Sequence, residues 1–143
     1  MTEPTRFADD HYAAGQPTPV HLAALAREGV RTVINLRRPD EPVEYDEAAE
    51  AAKLGLRYET LPIGGPDDLD RSRVVAFGRL LDAARREGGV LIHCASSNRV
   101  GAMVALDAAL NRGLPMDQAL QRGRDAGLVG LEAAVRDVIA KEG

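Results

Sequence analysis

The 143-residue chain has no tryptophan, three tyrosines and two phenylalanines, which excludes an aromatic core and leaves Leu, Val and Ala to fill the interior. It has one cysteine, Cys94, so an internal disulfide is excluded and no second thiol in the chain can resolve an oxidised sulfur. Basic residues are not in excess: 18 Lys and Arg against 22 Asp and Glu give a net charge of -4, which excludes a broad nucleic-acid-binding face and leaves room only for a local positive site. No apolar run approaches the roughly 20 residues that span a bilayer. The segment Met1 to Phe7 has neither the basic start nor the apolar core of a signal peptide. The expectation is a cytoplasmic protein without nucleic-acid or membrane partners, and without a metal or cofactor.

With 45% hydrophobic and 28% charged residues, the chain has an ordinary globular composition, and its length suits one domain over residues 1–143. Strand-like and helix-like segments alternate, which predicts an α/β fold. Thr18 caps a helix that begins at Pro19 and runs to Glu28, with Leu22, Leu25 and Ala26 at helical spacing and Gly29 as its stop. Val30 to Leu36 is rich in β-branched residues and reads as a central strand. Glu44 to Leu54 reads as an alanine-rich helix, Leu56 to Ile63 as a half-covered strand, and Gly64 to Leu69 as a turn. Asp70 caps a long amphipathic helix that Gly88 and Gly89 end. A strand from Val90 to Ile92, a small-residue helix from Val100 to Leu110, and two helices after Pro115 and Gly127 complete the chain. Successive βα units predict a mostly parallel sheet.

The segment His93 Cys94 Ala95 Ser96 Ser97 Asn98 Arg99 decides the chemistry. It places a thiol behind a buried strand, then small polar residues, an arginine and a helix start, which is the layout of an anion-cradling loop. In a parallel sheet such loops lie beyond the carboxyl ends of the strands, so this loop, the segment Arg37 to Glu41 and the turn Gly64 to Asp68 should converge. The bare helix after Arg99, with Ala102, Ala105, Ala108 and Ala109, would pack close and aim its positive end at Cys94. A lone cysteine at a strand end is otherwise a small buried hydrophobe. Arg37 and Arg38 either form a pocket rim or, with Asp40, Glu41 and Glu44, an exposed ion-pair cluster. Arg122 and Arg124 belong to a pocket rim or a polar helix face, and His11 and His21 read as surface residues.

These residues resemble the cysteine-dependent protein tyrosine and dual-specificity phosphatase superfamily. The motifs Ala14 Gly15 Gln16 Pro17 Thr18, Val33 Ile34 Asn35 Leu36 Arg37, and His93 Cys94 Ala95 Ser96 with Asn98 Arg99 are similar to the phosphatase-like domain of bacterial beta-lactamase-hydrolase-like proteins. The similarity runs through about residue 125. It implies a compact three-layer phosphatase-like fold, with a central sheet of four to five strands flanked by helices, and hydrolysis of a phosphomonoester through a cysteinyl-phosphate. It implies, further, Cys94 as nucleophile, its thiol pKa lowered from about 8.5 into the range of about 3.5 to 7.5. Arg99 becomes the clamp on phosphoryl oxygens, and His93 orders the loop without touching substrate. Asp67 and Asp68 lie where the dual-specificity enzymes carry their general acid; read from the residues alone, both are solvated turn residues.

Three departures from the family pattern stand beside this. Four residues separate Cys94 from Arg99, one fewer than the pattern has. The loop glycine is replaced by Ser97, which makes Asn98 the expected left-handed residue. Val100 stands where the family has a Ser or Thr hydroxyl that helps the thiolate leave, which predicts slow hydrolysis of the intermediate. The shorter loop also suits a rhodanese-type sulfurtransferase carrying a persulfide on Cys94. A third reading is a non-catalytic module that binds phosphate or a phosphorylated partner. Tyr12, Tyr45 and Tyr58 are the available walls for an aromatic substrate.

Overall fold

The computed structural model describes residues 4–142. Five strands form one sheet in the order β1-β2-β5-β3-β4: β1 (Thr5–Ala8), β2 (His11–Ala14), β3 (Val30–Asn35), β4 (Arg57–Thr60) and β5 (Gly89–His93). Only the edge pair β1 and β2 is antiparallel; β2, β5, β3 and β4 run parallel. The predicted α/β class and mostly parallel sheet are therefore present. The chain also contains the hairpin β1 and β2, which no hydrophobic alternation announces.

Helices α1 (Pro19–Arg27) and α2 (Glu47–Lys53) cover one face, while α3 (Arg71–Glu87), α4 (Asn98–Leu106), α5 (Met116–Asp125) and α6 (Glu132–Glu142) cover the other. Strand alternation sorts the β5 side chains between these layers. Val90 and Ile92 join Val74, Phe77 and Leu81 of α3, and Leu91 joins Leu22 and Leu25 of α1 and Ala51 of α2. The same alternation directs His93 to the α2 side and carries Cys94 into the α3 to α6 core.

The predicted caps are in place. Thr18 Oγ1 accepts from His21 N at 3.1 Å in a capping box, and the Asp70 side chain accepts from Arg73 N at 2.9 Å at the start of α3. Two predicted elements are shorter than expected. The helix expected from Glu44 starts at Glu47, because the Asp46 side chain accepts from Ala49 N and ends the preceding loop there. The strand expected from Leu56 to Ile63 keeps regular pairing only over Arg57–Thr60. The helix expected to end at Leu110 is α-helical to Leu106 and continues as a π turn over Asp107–Asn111, where buried Asp107 gathers Asn111 and Arg112.

His11 is a correction: it is buried, edge-on to Phe7 at 5.9 Å, with Nδ1 2.5 Å from Asp9 O. His21 is half-buried within its capping box. The bare α4 packs most tightly on α5. A Cβ on Gly101 would lie 2.1 Å from Leu128 N, and one on Gly123 would lie 2.7 Å from Gly101 O, so both positions require glycine for this approach.

Candidate active site

The three expected segments meet beyond the carboxyl ends of β3, β4 and β5. Arg38, Glu41, Gly64, Gly65, Asn98, Arg99 and Leu131 line an open cleft of about 400 Å³. Asn98 and Arg99, at the start of α4, bring the end of the loop that leaves Cys94 to this cleft. Parallel pairing sets Asn35 beside His93, and Leu36 N donates to His93 O at 2.9 Å, which fixes where the strand releases the loop. Cys94 N donates to Ala14 O at 3.2 Å, and Gly15 bridges Ser96. The backbones approach so closely that a Cβ on Gly15 would stand 2.6 Å from Ala95 O. Cys94 is fully buried and is a free thiol.

Ser97, not Asn98, takes the left-handed conformation, with φ 72°. The expectation for Asn98 fails because its side chain is engaged elsewhere. Its Oδ1 accepts from Val129 N at 3.0 Å and Leu131 N at 3.3 Å, pinning the loop before α6 to the first turn of α4. Ser97 takes the αL position at the N-cap, and no side chain caps α4. The amino end of α4, buried from Val100 onward, thus opens toward the cleft with no side chain capping its first amides.

Arg99 is held on one edge. Nη1 donates to Glu41 Oε2 at 2.6 Å and to Ile63 O at 2.8 Å, and Nη2 donates to Glu41 Oε1 at 2.8 Å. A guanidinium has five N–H donors in a rigid plane, so the Nε–H and one Nη2–H, which point the same way, remain as a second fork. The hydrogen bonds to Glu41 raise the Arg99 pKa against desolvation, with further contributions from Cys94 charge and a hydrogen bond to its side chain. Reciprocally, Arg99 pulls the Glu41 carboxyl from 4.5 to about 2, with desolvation opposing and the Arg38 amide and the Arg37 charge assisting.

A second polar layer lies behind the loop. His93 Nε2 is 2.5 Å from Glu47 Oε2 and its Nδ1 is 3.4 Å from Cys94 O. Gln16 Nε2 donates to Glu47 Oε1 at 3.0 Å, and Gln16 Oε1 accepts from Arg37 Nη1 at 3.0 Å. Arg37 also donates to Pro42 O at 2.5 Å and has Nε 3.7 Å from Glu41 Oε1. Arg38 stands on the cleft wall in an exposed pair with Asp40, Nη2 to Oδ2 being 2.6 Å.

Asp67 and Asp68 sit on a 3-10 turn, Pro66–Asp68. Asp68 Oδ2 accepts from Gly64 N at 2.6 Å and Oδ1 is 3.5 Å from Arg73, so this carboxylate braces the turn. Asp67 is exposed. Tyr45 and Tyr58 line an adjacent cleft with Gln16, Asn35 and Arg37, whereas Tyr12 lies in another depression beside α1. Arg122 lies with Phe7 and His11 in a separate depression, and Arg124 pairs with Glu132, so neither is among the residues lining the Arg99 cleft. Among the described residues, no group of three or more His, Cys, Asp or Glu is placed to hold a metal, and no helix is long and apolar enough to cross a membrane.

Residues 5–111 match the family described as beta-lactamase hydrolase-like protein, phosphatase-like domain. The chain belongs to this family. A beta-lactamase hydrolase-like protein of Xylella fastidiosa is 33% identical over 109 residues, covering 73% of this chain and 25% of the relative. The dual specificity protein phosphatase TpbA of Pseudomonas aeruginosa is 30% identical over 136 residues, 94% of this chain and 59% of the relative. This chain thus spans a quarter of one relative's length and under two thirds of the other's. A Cys-to-Ser variant of TpbA, solved in complex with phosphotyrosine, superposes with a TM-score of 0.75 at 25% identity, over 96% of this chain and 82% of that one.

Sequence reasoning placed Glu41 in the converging segment but missed its grip on Arg99, and it missed Glu47 altogether. Glu41 gives no local signal. Glu47 does: with Ala51, four residues on, it forms the buried stripe of α2, an acidic residue where an apolar one is expected.

Proposed function

We propose that this chain is a cysteine-dependent phosphatase that hydrolyses a phosphomonoester through a cysteinyl-phosphate on Cys94. The observation that carries the reading is the second fork of Arg99, beside Cys94 at the uncapped start of α4. The Cys94 thiolate attacks phosphorus, the bond from phosphorus to the ester oxygen breaks, and a turn aspartate gives that oxygen its proton. Water then attacks phosphorus, the S–P bond breaks, and phosphate leaves as the thiolate is regenerated and the water proton returns to the carboxylate. The Arg99 Nε and Nη2 fork and the loop amides hold the phosphoryl oxygens as charge builds on them.

We assign the proton transfer to Asp67. The Asp68 carboxylate is already committed to Gly64 N and Arg73, which suits a brace, whereas Asp67 is exposed beside it. The phosphotyrosine complex of TpbA supports a phosphorylated substrate. A single thiol that must stay reduced favours a reducing compartment such as the cytoplasm.

The short loop between Cys94 and Arg99 is the one feature that favours sulfur transfer instead. Assaying wild type and Cys94→Ser with an aryl phosphate, and in parallel with thiosulfate and cyanide, separates the two. Cys94-dependent phosphate release without thiocyanate is expected; thiocyanate without phosphate release would replace this reading. With neither product, stabilisation by phosphate or vanadate would identify a binding module. Asp67→Asn should slow turnover most for substrates with poor leaving groups, and equal loss with all leaving groups would remove the acid assignment.

A further inference from the structure

We propose that Glu47 is a positioning residue that acts through His93 to favour the thiolate of Cys94. The inference deepens the phosphatase reading, since it concerns the same sulfur. A carboxylate on the inward stripe of a short alanine-rich helix is costly to bury, and this one is 5% exposed, so its partners must account for it. Those partners are His93 and Gln16. Strand alternation places His93 and Cys94 on opposite faces of the sheet, so Glu47 reaches the sulfur only through the imidazole and the intervening peptide.

The contacts set the polarity of the pair. Cys94 O can only accept, so His93 Nδ1 turns a hydrogen toward it. The Gln16 amide donates to Glu47 Oε1, and His93 Nε2 shares a hydrogen with Oε2. In this proposal the shared hydrogen rests on the imidazole, with the positive end of the pair next to the loop and the negative end in α2. The other charged or titratable groups around it are Arg37 and Glu41 from the loop after β3, Tyr45 and Asp46 before α2, Tyr58 on β4, and Arg99. Both tyrosines stay neutral, their pKa raised first by burial and further by the Glu47 charge. Asp46 is committed to Ala49 N, and Glu41 to Arg99. Arg37, through Gln16, continues the chain toward Glu41 and the clamp.

The test reads the thiol directly and needs no turnover, so its failure is distinguishable from failure of the phosphatase reading. Cys94 is the sole cysteine, so the ultraviolet thiolate band, with Cys94→Ser as blank, reports this sulfur alone. At about pH 6, Glu47→Gln should lower the thiolate fraction and the iodoacetamide alkylation rate about tenfold. Glu47→Asp, which keeps the charge with a shorter reach, should restore part of both. In a His93→Asn background, Glu47→Gln should have no further effect. Thiolate titration of folded Glu47→Gln superimposable on wild type would overturn the proposal, as would an undiminished tenfold loss in the His93→Asn background. Should Glu47→Gln not fold, a wild-type thiolate titration in His93→Asn overturns it equally, since Glu47 reaches the sulfur through that imidazole.

Discussion

Replacing Glu41 with Gln keeps the shape of the residue that grips the outer edge of Arg99 and removes its charge. The carboxyl titrates at about 2 rather than 4.5 because it accepts hydrogen bonds from Arg99 and the Arg38 amide beside the charges of Arg99 and Arg37. That difference corresponds to about 3 kcal/mol at neutral pH. The Glu41 side chain is 22% exposed, and solvent screening reduces the figure to about 2 kcal/mol. The folded pKa lies below the unfolded one, so the stabilisation is fully present above about pH 4.5 and is lost as pH falls through about 2. At about pH 3 less than half of it remains. Glu41→Gln should therefore lower Tm by about 4 to 8 °C at pH 7 and by much less at about pH 3, read by thermal and guanidinium denaturation of both proteins. Arg99 keeps its bond to Ile63 O, so the variant should bind phosphate more weakly without losing it. An equal penalty at both pH values, or none at neutral pH, would refute the assignment of this stabilisation to the ion pair.

Ser97→Gly should raise stability by about 1 kcal/mol, because a left-handed residue at φ 72° costs serine what it does not cost glycine; a fall in Tm would show that the serine side chain contributes something its contacts do not display. Gly15→Ala should reduce stability by about 1 to 3 kcal/mol and abolish the thermal shift given by vanadate, since its Cβ would press on Ala95 O at 2.6 Å. An unchanged vanadate shift would mean that the loop does not need this close approach. Asp68→Asn should cost stability while leaving the dependence on leaving group intact, in contrast to Asp67→Asn; a steepened dependence in Asp68→Asn would exchange the two roles.

The parts of the fold that were legible are those in which a local pattern and a tertiary need coincide. The β-branched run over β3, the Asp70 cap with the apolar stripe of α3, and the Thr18-Pro19 start of α1 each carry their own instructions. The hairpin β1 and β2 does not: its strands are four residues each, and what makes them strands is the pairing of β2 with β5 across most of the chain, with β1 pairing on β2. The site divides the same way. The cysteine loop is contiguous and could be read whole, whereas Glu41 meets Arg99 across 58 residues and Glu47 meets His93 across 46. Nothing local marks Glu41, and Glu47 shows only as an acidic residue on the buried stripe of α2. Asn98 shows the same limit, because its freedom to turn left-handed was removed by Val129 and Leu131.

The departure at Val100 bears most directly on the central claim. This side chain is fully buried at the start of α4 and brings no hydroxyl to help sulfur leave phosphorus. Attack by Cys94 should then be faster than hydrolysis of the intermediate. Rapid mixing with an activated aryl phosphate should release one equivalent of phenol per enzyme in a burst, followed by a slower steady phase, with no burst from Cys94→Ser. Phenol release from wild type that persists undiminished in Cys94→Ser would contradict the account, because phosphoryl transfer would then bypass the thiol.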